Sequence, residues 1–226
     1  MAETILVLFI SIFIPLTMGL FLIKGRARTT VLFMIVGLFV CLFAAYINGF
    51  IAAHSGLTVV QLTFTVTPIV EEIMKAVPLI LFAFMFQPKK NHLLACATMT
   101  GIGFAVLENA YILATNIETI TIGWAIIRGL GAGLMHGVCT MLVGYGLYYI
   151  NKIRKMAITG TYALLMLAIV YHACYNMLIQ SEYKLCGIIL PIITLLPILF
   201  IRYHVGKNKA SQPPKKDITE TEGALQ

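Results

Sequence analysis

Apolar runs long enough to cross a bilayer recur along the whole 226-residue chain and leave little room for any other fold. A spanning helix needs about 20 consecutive apolar residues. Seven such runs are present, at roughly 3–23, 30–52, 62–86, 92–115, 122–150, 156–180 and 184–204. With 60% hydrophobic and only 11% charged residues, this is an all-α polytopic membrane protein, since a soluble domain carries about twice that charge. The first run is expected to stay as a span, because its basic cluster follows it and it lacks the basic start of a cleaved signal peptide.

The net charge of +7 reads as a topology signal and not as a nucleic-acid surface. Thirteen of the sixteen basic residues fall on one side of the seven runs: Lys24, Arg26 and Arg28, Lys89 and Lys90, Lys152, Arg154 and Lys155, and Arg202, Lys207, Lys209, Lys215 and Lys216. Lys184 alone falls on the other side, and Lys75 and Arg128 lie inside runs. The positive-inside rule then puts the N-terminus outside and the C-terminus in the cytoplasm. Residues 1–205 form one membrane domain, and 206–226, polar with Pro213-Pro214-Lys215-Lys216, are expected to be a disordered cytoplasmic tail. The five cysteines all lie in apolar sequence without a Cys-x-x-Cys pair and read as packing residues. Before the third run, residues 58–67 alternate polar with apolar and suggest an irregular or re-entrant lead-in.

Charge inside these runs is costly and marks function. Glu71, Glu72 and Lys75 interrupt the third run, and on a helix Lys75 lies one turn beyond both carboxylates. A single Glu–Lys pair would read as a tie between helices; the doublet has company. The fourth run holds Glu108 and Asn109, the fifth His136 and Thr140, and the sixth His172 and Asn176. Glu72 and His136 are 14 residues, and Glu108 and His172 16, from the cytoplasmic end of their runs, a depth of about 21–24 Å at 1.5 Å per residue. Helices of alternating direction thus deliver carboxylates and imidazoles to one layer.

Such a set can activate water, as general base or through a metal. His136 and His172 with a glutamate resemble a two-His-one-carboxylate zinc set that leaves a second glutamate as base. Glu108 is the carboxylate assigned to that set, with Glu71 and Glu72 for water activation or metal binding. The Asn176 amide is assigned to an oxyanion. Lys75 sets the charge of the doublet, and Asn109 and Thr140 support. Other intramembrane chemistries fail by inventory: the lone aspartate is Asp217 in the tail, there is no His-Glu-x-x-His, and no serine sits in a nucleophile motif. Cys139 and Cys174 lie near the histidines without any feature that would activate a thiol. A proton- or cation-coupled transporter is the competing class, but the paired broken helices of transporter repeats are missing.

Glu71-Glu72-x-x-Lys75, Phe104-x-x-x-Glu108-Asn109, His136-x-x-x-Thr140 with Gly144-Tyr145-Gly146, and His172-x-x-x-Asn176 together resemble the PrsW family of bacterial intramembrane proteases. That family is similar in turn to the CAAX prenyl endopeptidases and bacteriocin-processing membrane proteases. Glu108 in place of a histidine, and Lys75 in place of an arginine one residue later, favour PrsW over the CAAX type. The resemblance implies a multi-pass protease of the bacterial cell membrane. Its substrate would be a membrane-anchored anti-sigma factor, whose first-site cleavage starts regulated proteolysis and releases a sigma factor under stress. Members are described both as metalloproteases and as glutamic proteases, so zinc and a metal-free glutamate pair both stand as expectations.

Overall fold

The computed structural model describes residues 2–150 and 154–210, which form eight helices with no strand among the described residues. They are α1 (Ala2–Leu20), α2 (Gly25–Ser55), α3 (Val59–Phe64), α4 (Val66–Phe86), α5 (Lys90–Thr115), α6 (Ile122–Ile150), α7 (Arg154–Gln180) and α8 (Lys184–Ala210). Each expected run has a helix close to its bounds. Residues 206–210, placed in the tail by sequence, continue α8, and 211–226 lie outside the described residues.

Five helices, α1, α2, α5, α6 and α7, are long and apolar enough to cross a membrane. The 21-residue α4 reaches the same length but carries Glu71, Glu72 and Lys75, and the described apolar stretch of α8 is the shorter Lys184–Pro197. Large apolar side chains face outward on most of these helices, among them Phe43, Phe50, Leu81, Phe84, Val170 and Leu196, while Glu72, Lys75, His136 and His172 are almost wholly buried. Apolar outside and charged inside suits a lipid-solvated protein.

The lead-in before the third run resolves into a separate element. Thr58 and Gln61 form a reciprocal capping box that starts α3: the Gln61 N–H donates to Thr58 Oγ1 at 3.2 Å and the Thr58 N–H to Gln61 Oε1 at 2.9 Å. The helix is only six residues long, and the chain restarts at Thr65 as α4. Pro68 falls in the first turn of α4, where a missing N–H removes no helical bond. The helix ends at Gln87, whose left-handed φ of 41° turns the chain into Pro88.

α5 is the central post, packed along α2 on one side and α6 on the other, with α7 beyond α6. Glycine makes these approaches possible. A methyl group at Gly101 would overlap the carbonyl oxygen of His136 on α6, and one at Gly103 would overlap that of Met34 on α2. Two apolar clusters result. One joins α4, α5, α6 and α7 through Leu79, Cys96, Met135, Cys139, Ala168 and Tyr175. The other joins α1, α2 and α5 through Phe9, Leu38, Cys41, Phe104 and Leu107. The polar layer lies where they meet, with Lys75 Nζ 4.1 Å over the Phe104 ring.

Candidate active site

Four helices build the site. α4 brings Glu71, Glu72 and Lys75; α5 brings Glu108; α6 brings His136; α7 brings His172. The side chains form one continuous chain of contacts. Glu72 Oε1 accepts from Lys75 Nζ at 2.8 Å and from His172 Nδ1 at 2.9 Å. Lys75 Nζ also donates to His136 Nδ1 at 2.7 Å, and His136 Nε2 lies 2.9 Å from Glu108 Oε2. Glu108 Oε1 in turn pairs with Arg128 Nη2 at 3.4 Å.

These partners fix the tautomers. A carboxylate only accepts, so His172 carries its proton on Nδ1 and keeps a lone pair on Nε2. An ammonium only donates, so His136 accepts at Nδ1 and donates from Nε2 to Glu108. Each imidazole thus has one nitrogen held by a carboxylate, the arrangement that orients metal-ligating histidines. The two rings meet edge to face, with centroids 4.9 Å apart.

The Nε2 lone pair of His172 faces Glu71 Oε2 at 3.8 Å, and that oxygen is buried without a hydrogen-bond partner. Two acceptors facing one another are stabilised by a cation or a proton, and the nearest cation, Lys75 Nζ, is 3.9 Å from Glu71 Oε2. A divalent ion held by Glu71 and His172 would satisfy both acceptors. Glu71, His136 and His172 each offer one ligand atom within 4.8 Å of the others, and all three are buried. The donor set of two nitrogens and an oxygen suits zinc-type coordination. The residues therefore fit a metal.

Not every site residue expected from sequence lies in this three-residue group. Glu71, not Glu108, is the carboxylate that closes the three-residue group with the histidines. Glu108 stands behind His136 and is a quarter exposed, whereas Glu72 is sealed. Thr140 turns its hydroxyl to the carbonyl of His136 at 2.8 Å and supports the helix carrying the imidazole. Asn109 is buried, and its Oδ1 has no hydrogen-bond partner. The Asn176 amide donates one N–H to the Thr63 carbonyl of α3 at 3.0 Å, which leaves its second N–H for another acceptor. Cys139 donates to the Ala168 carbonyl at 3.5 Å and packs in the core.

Arg128 was given no role by the sequence reading, although an arginine inside an apolar run is itself a signal. It sits two turns before His136 on α6, with its Nε buried and unpartnered. A model of the PrsW family, described as intramembrane metalloprotease, matches residues 25–202. The chain belongs to the PrsW family. No curated protein and no solved structure gave a match. Membership makes the chain a multi-pass membrane peptidase that acts on membrane proteins within a lipid bilayer. The four motifs behind the resemblance all lie inside the matched range, as does Arg128. The PrsW assignment favours a peptidase over a transporter for the buried charges.

Proposed function

We propose that this PrsW protein is a zinc-dependent intramembrane protease with Glu71, His136 and His172 as ligands. The observation that carries the reading is the buried Glu71 Oε2, which makes no hydrogen bond and has Lys75 Nζ only at 3.9 Å, opposite the His172 Nε2 lone pair. A metal held there would polarise the scissile carbonyl and acidify a water. The other duties fall to the chain's own groups. Glu72 keeps His172 in the tautomer that frees Nε2, and Glu108 orients His136 in the same way. Glu72 Oε2 is buried without a hydrogen-bond partner and is the atom assigned to take the proton from water. Lys75 neutralises the doublet, and Arg128 holds Glu108 in place.

The substrate we propose is a single-span, membrane-anchored regulatory protein of the anti-sigma class, cut first at this site. We also place all seven runs across the bacterial cell membrane, with α4 spanning and its charges turned inward. In that topology, reporters fused at 226 and in the 87–91 loop should report the cytoplasm, and one near Glu118 the outside. Finding Glu118 and Gln226 on one side would sink the arrangement.

Reconstitution with a tagged anti-sigma-type substrate in liposomes tests the activity. Cleavage should require the protease, stop with 1,10-phenanthroline and return with added zinc. Cleavage indifferent to the chelator would return the site to a glutamic mechanism, in which two close carboxylates share a proton.

A further inference from the structure

Lys75 occupies an unusual position for a supporting residue. It is fully buried, and its Nζ lies among the very atoms that would hold a metal. The ammonium is 2.7 Å from His136 Nδ1, 2.8 Å from Glu72 Oε1 and 3.9 Å from Glu71 Oε2. His136 Nε2 is already directed at Glu108 Oε2. With both nitrogens engaged, His136 joins a metal only by letting go of one partner. A nitrogen lone pair serves an ammonium or a metal, never both.

We infer that Lys75 is a tethered cation that holds the ligand set in the metal-free protein and is displaced from His136 when a divalent ion binds. The inference rests on Glu71, His136 and His172 being the metal ligands. Two acidic side chains buried side by side without a cation would strongly oppose folding, because an uncompensated buried charge is costly. Lys75 supplies that charge from within the chain, so the site can form in the membrane before it is loaded. Its placement also suits release. The flexible four-carbon stem lets the ammonium swing away from His136 while it keeps its bond to Glu72 Oε1. The Phe104 ring face, 4.1 Å from Nζ, continues to stabilise the cation. The lysine and the metal then compete for one site and substitute for one another.

A purely structural lysine and a competing one give opposite signs when it is removed. The test uses the full-length protein in detergent, stripped with a chelator, and zinc chloride as probe. Zinc affinity is read by competition with a chromophoric chelator, and thermal unfolding is followed with and without zinc. Lys75→Met keeps the length of the stem and deletes the charge. It should bind zinc about tenfold more tightly or better, because no ammonium has to be displaced and the ligands lack a counter-charge. Stripped Lys75→Met should melt below stripped wild type, and zinc should raise its melting temperature by more than it raises that of wild type. Lys75→Gln should behave in the same direction. Equal or weaker zinc binding in both variants would overturn the inference. So would failure of both to accumulate even when cells are grown with added zinc, since zinc is expected to replace the lysine. If wild type itself binds no zinc, the ligand assignment fails instead, which separates the two outcomes.

Discussion

Alanine at position 172 should abolish cleavage while leaving the protein in the membrane. His172 is 1% exposed and contributes two things at once. Its Nδ1–H ties α7 to Glu72 on α4, and its Nε2 points at Glu71 Oε2. Losing the first leaves a cavity and one acceptor short of a donor, a cost of about 1–3 kcal/mol. Glu72 keeps Lys75 as partner, and α7 remains packed against α6 through Ala168 and Tyr175. Losing the second removes a metal ligand, and the rate should fall by at least about a thousandfold. Immunoblots of the membrane fraction and cleavage of a tagged substrate, read together, decide the matter. Normal accumulation without cleavage is expected; measurable residual cleavage would favour a glutamic site that does not need this imidazole.

Glu72→Gln should have the second-largest effect. Glutamine keeps the size and an oxygen acceptor for Lys75 and His172, but it has lost the anion. As the general base it should cost about 10²–10⁴-fold in activity. The substitution also takes the close counter-ion from Lys75, and breaking a buried pair costs about 3–5 kcal/mol. Glu71 Oε2 at 3.9 Å and His136 Nδ1 at 2.7 Å remain to share the ammonium, so the protein is expected to accumulate at a reduced level. The decisive quantity is cleavage per unit of protein in the membrane. If it is unchanged, Glu72 is a structural ion-pair partner and another group takes the proton.

Depth along the helices was legible in the sequence, and angle around them was not. Counting residues from the end of each run was enough to expect Glu72, Glu108, His136 and His172 in one layer, and the structure brings them together. The count says nothing of which way each side chain points. Glu71 and Glu72 are adjacent and therefore about 100° apart around α4. Only the rotation of α4 in the bundle turns Glu71 Oε2 toward His172 Nε2 and puts Glu72 behind the other side of that ring. The same limit applies to Glu108, which shares the layer but stands behind His136. Asn176 was beyond reach for another reason. Its partner, Thr63, lies in a six-residue helix whose placement depends on the break at Thr65.

Small residues illustrate the same point. Among the glycines close to the histidines, a methyl group at Gly129 or Gly133 would meet nothing within 4 Å, whereas one at Gly144 would meet the Ala97 side chain at 2.6 Å. At Gly37, Gly101 and Gly103, on α2 and α5, the obstacle is the backbone of the neighbouring helix. Arg128 shows a different failure. It was counted as a charge within a span, and its link to His136 runs through a carboxylate on another helix.

Two histidines and Glu71 are the proposed holders of a catalytic metal, with Glu108 behind them. Elemental analysis of the purified protein tests this assignment most directly, on wild type beside Glu71→Gln and Glu108→Gln. Stoichiometric zinc is expected in wild type, with loss in Glu71→Gln and retention in Glu108→Gln at an affinity weakened about 10–100-fold, the usual cost of removing a partner behind a ligand. Wild-type protein that cleaves its substrate with no metal bound would contradict it.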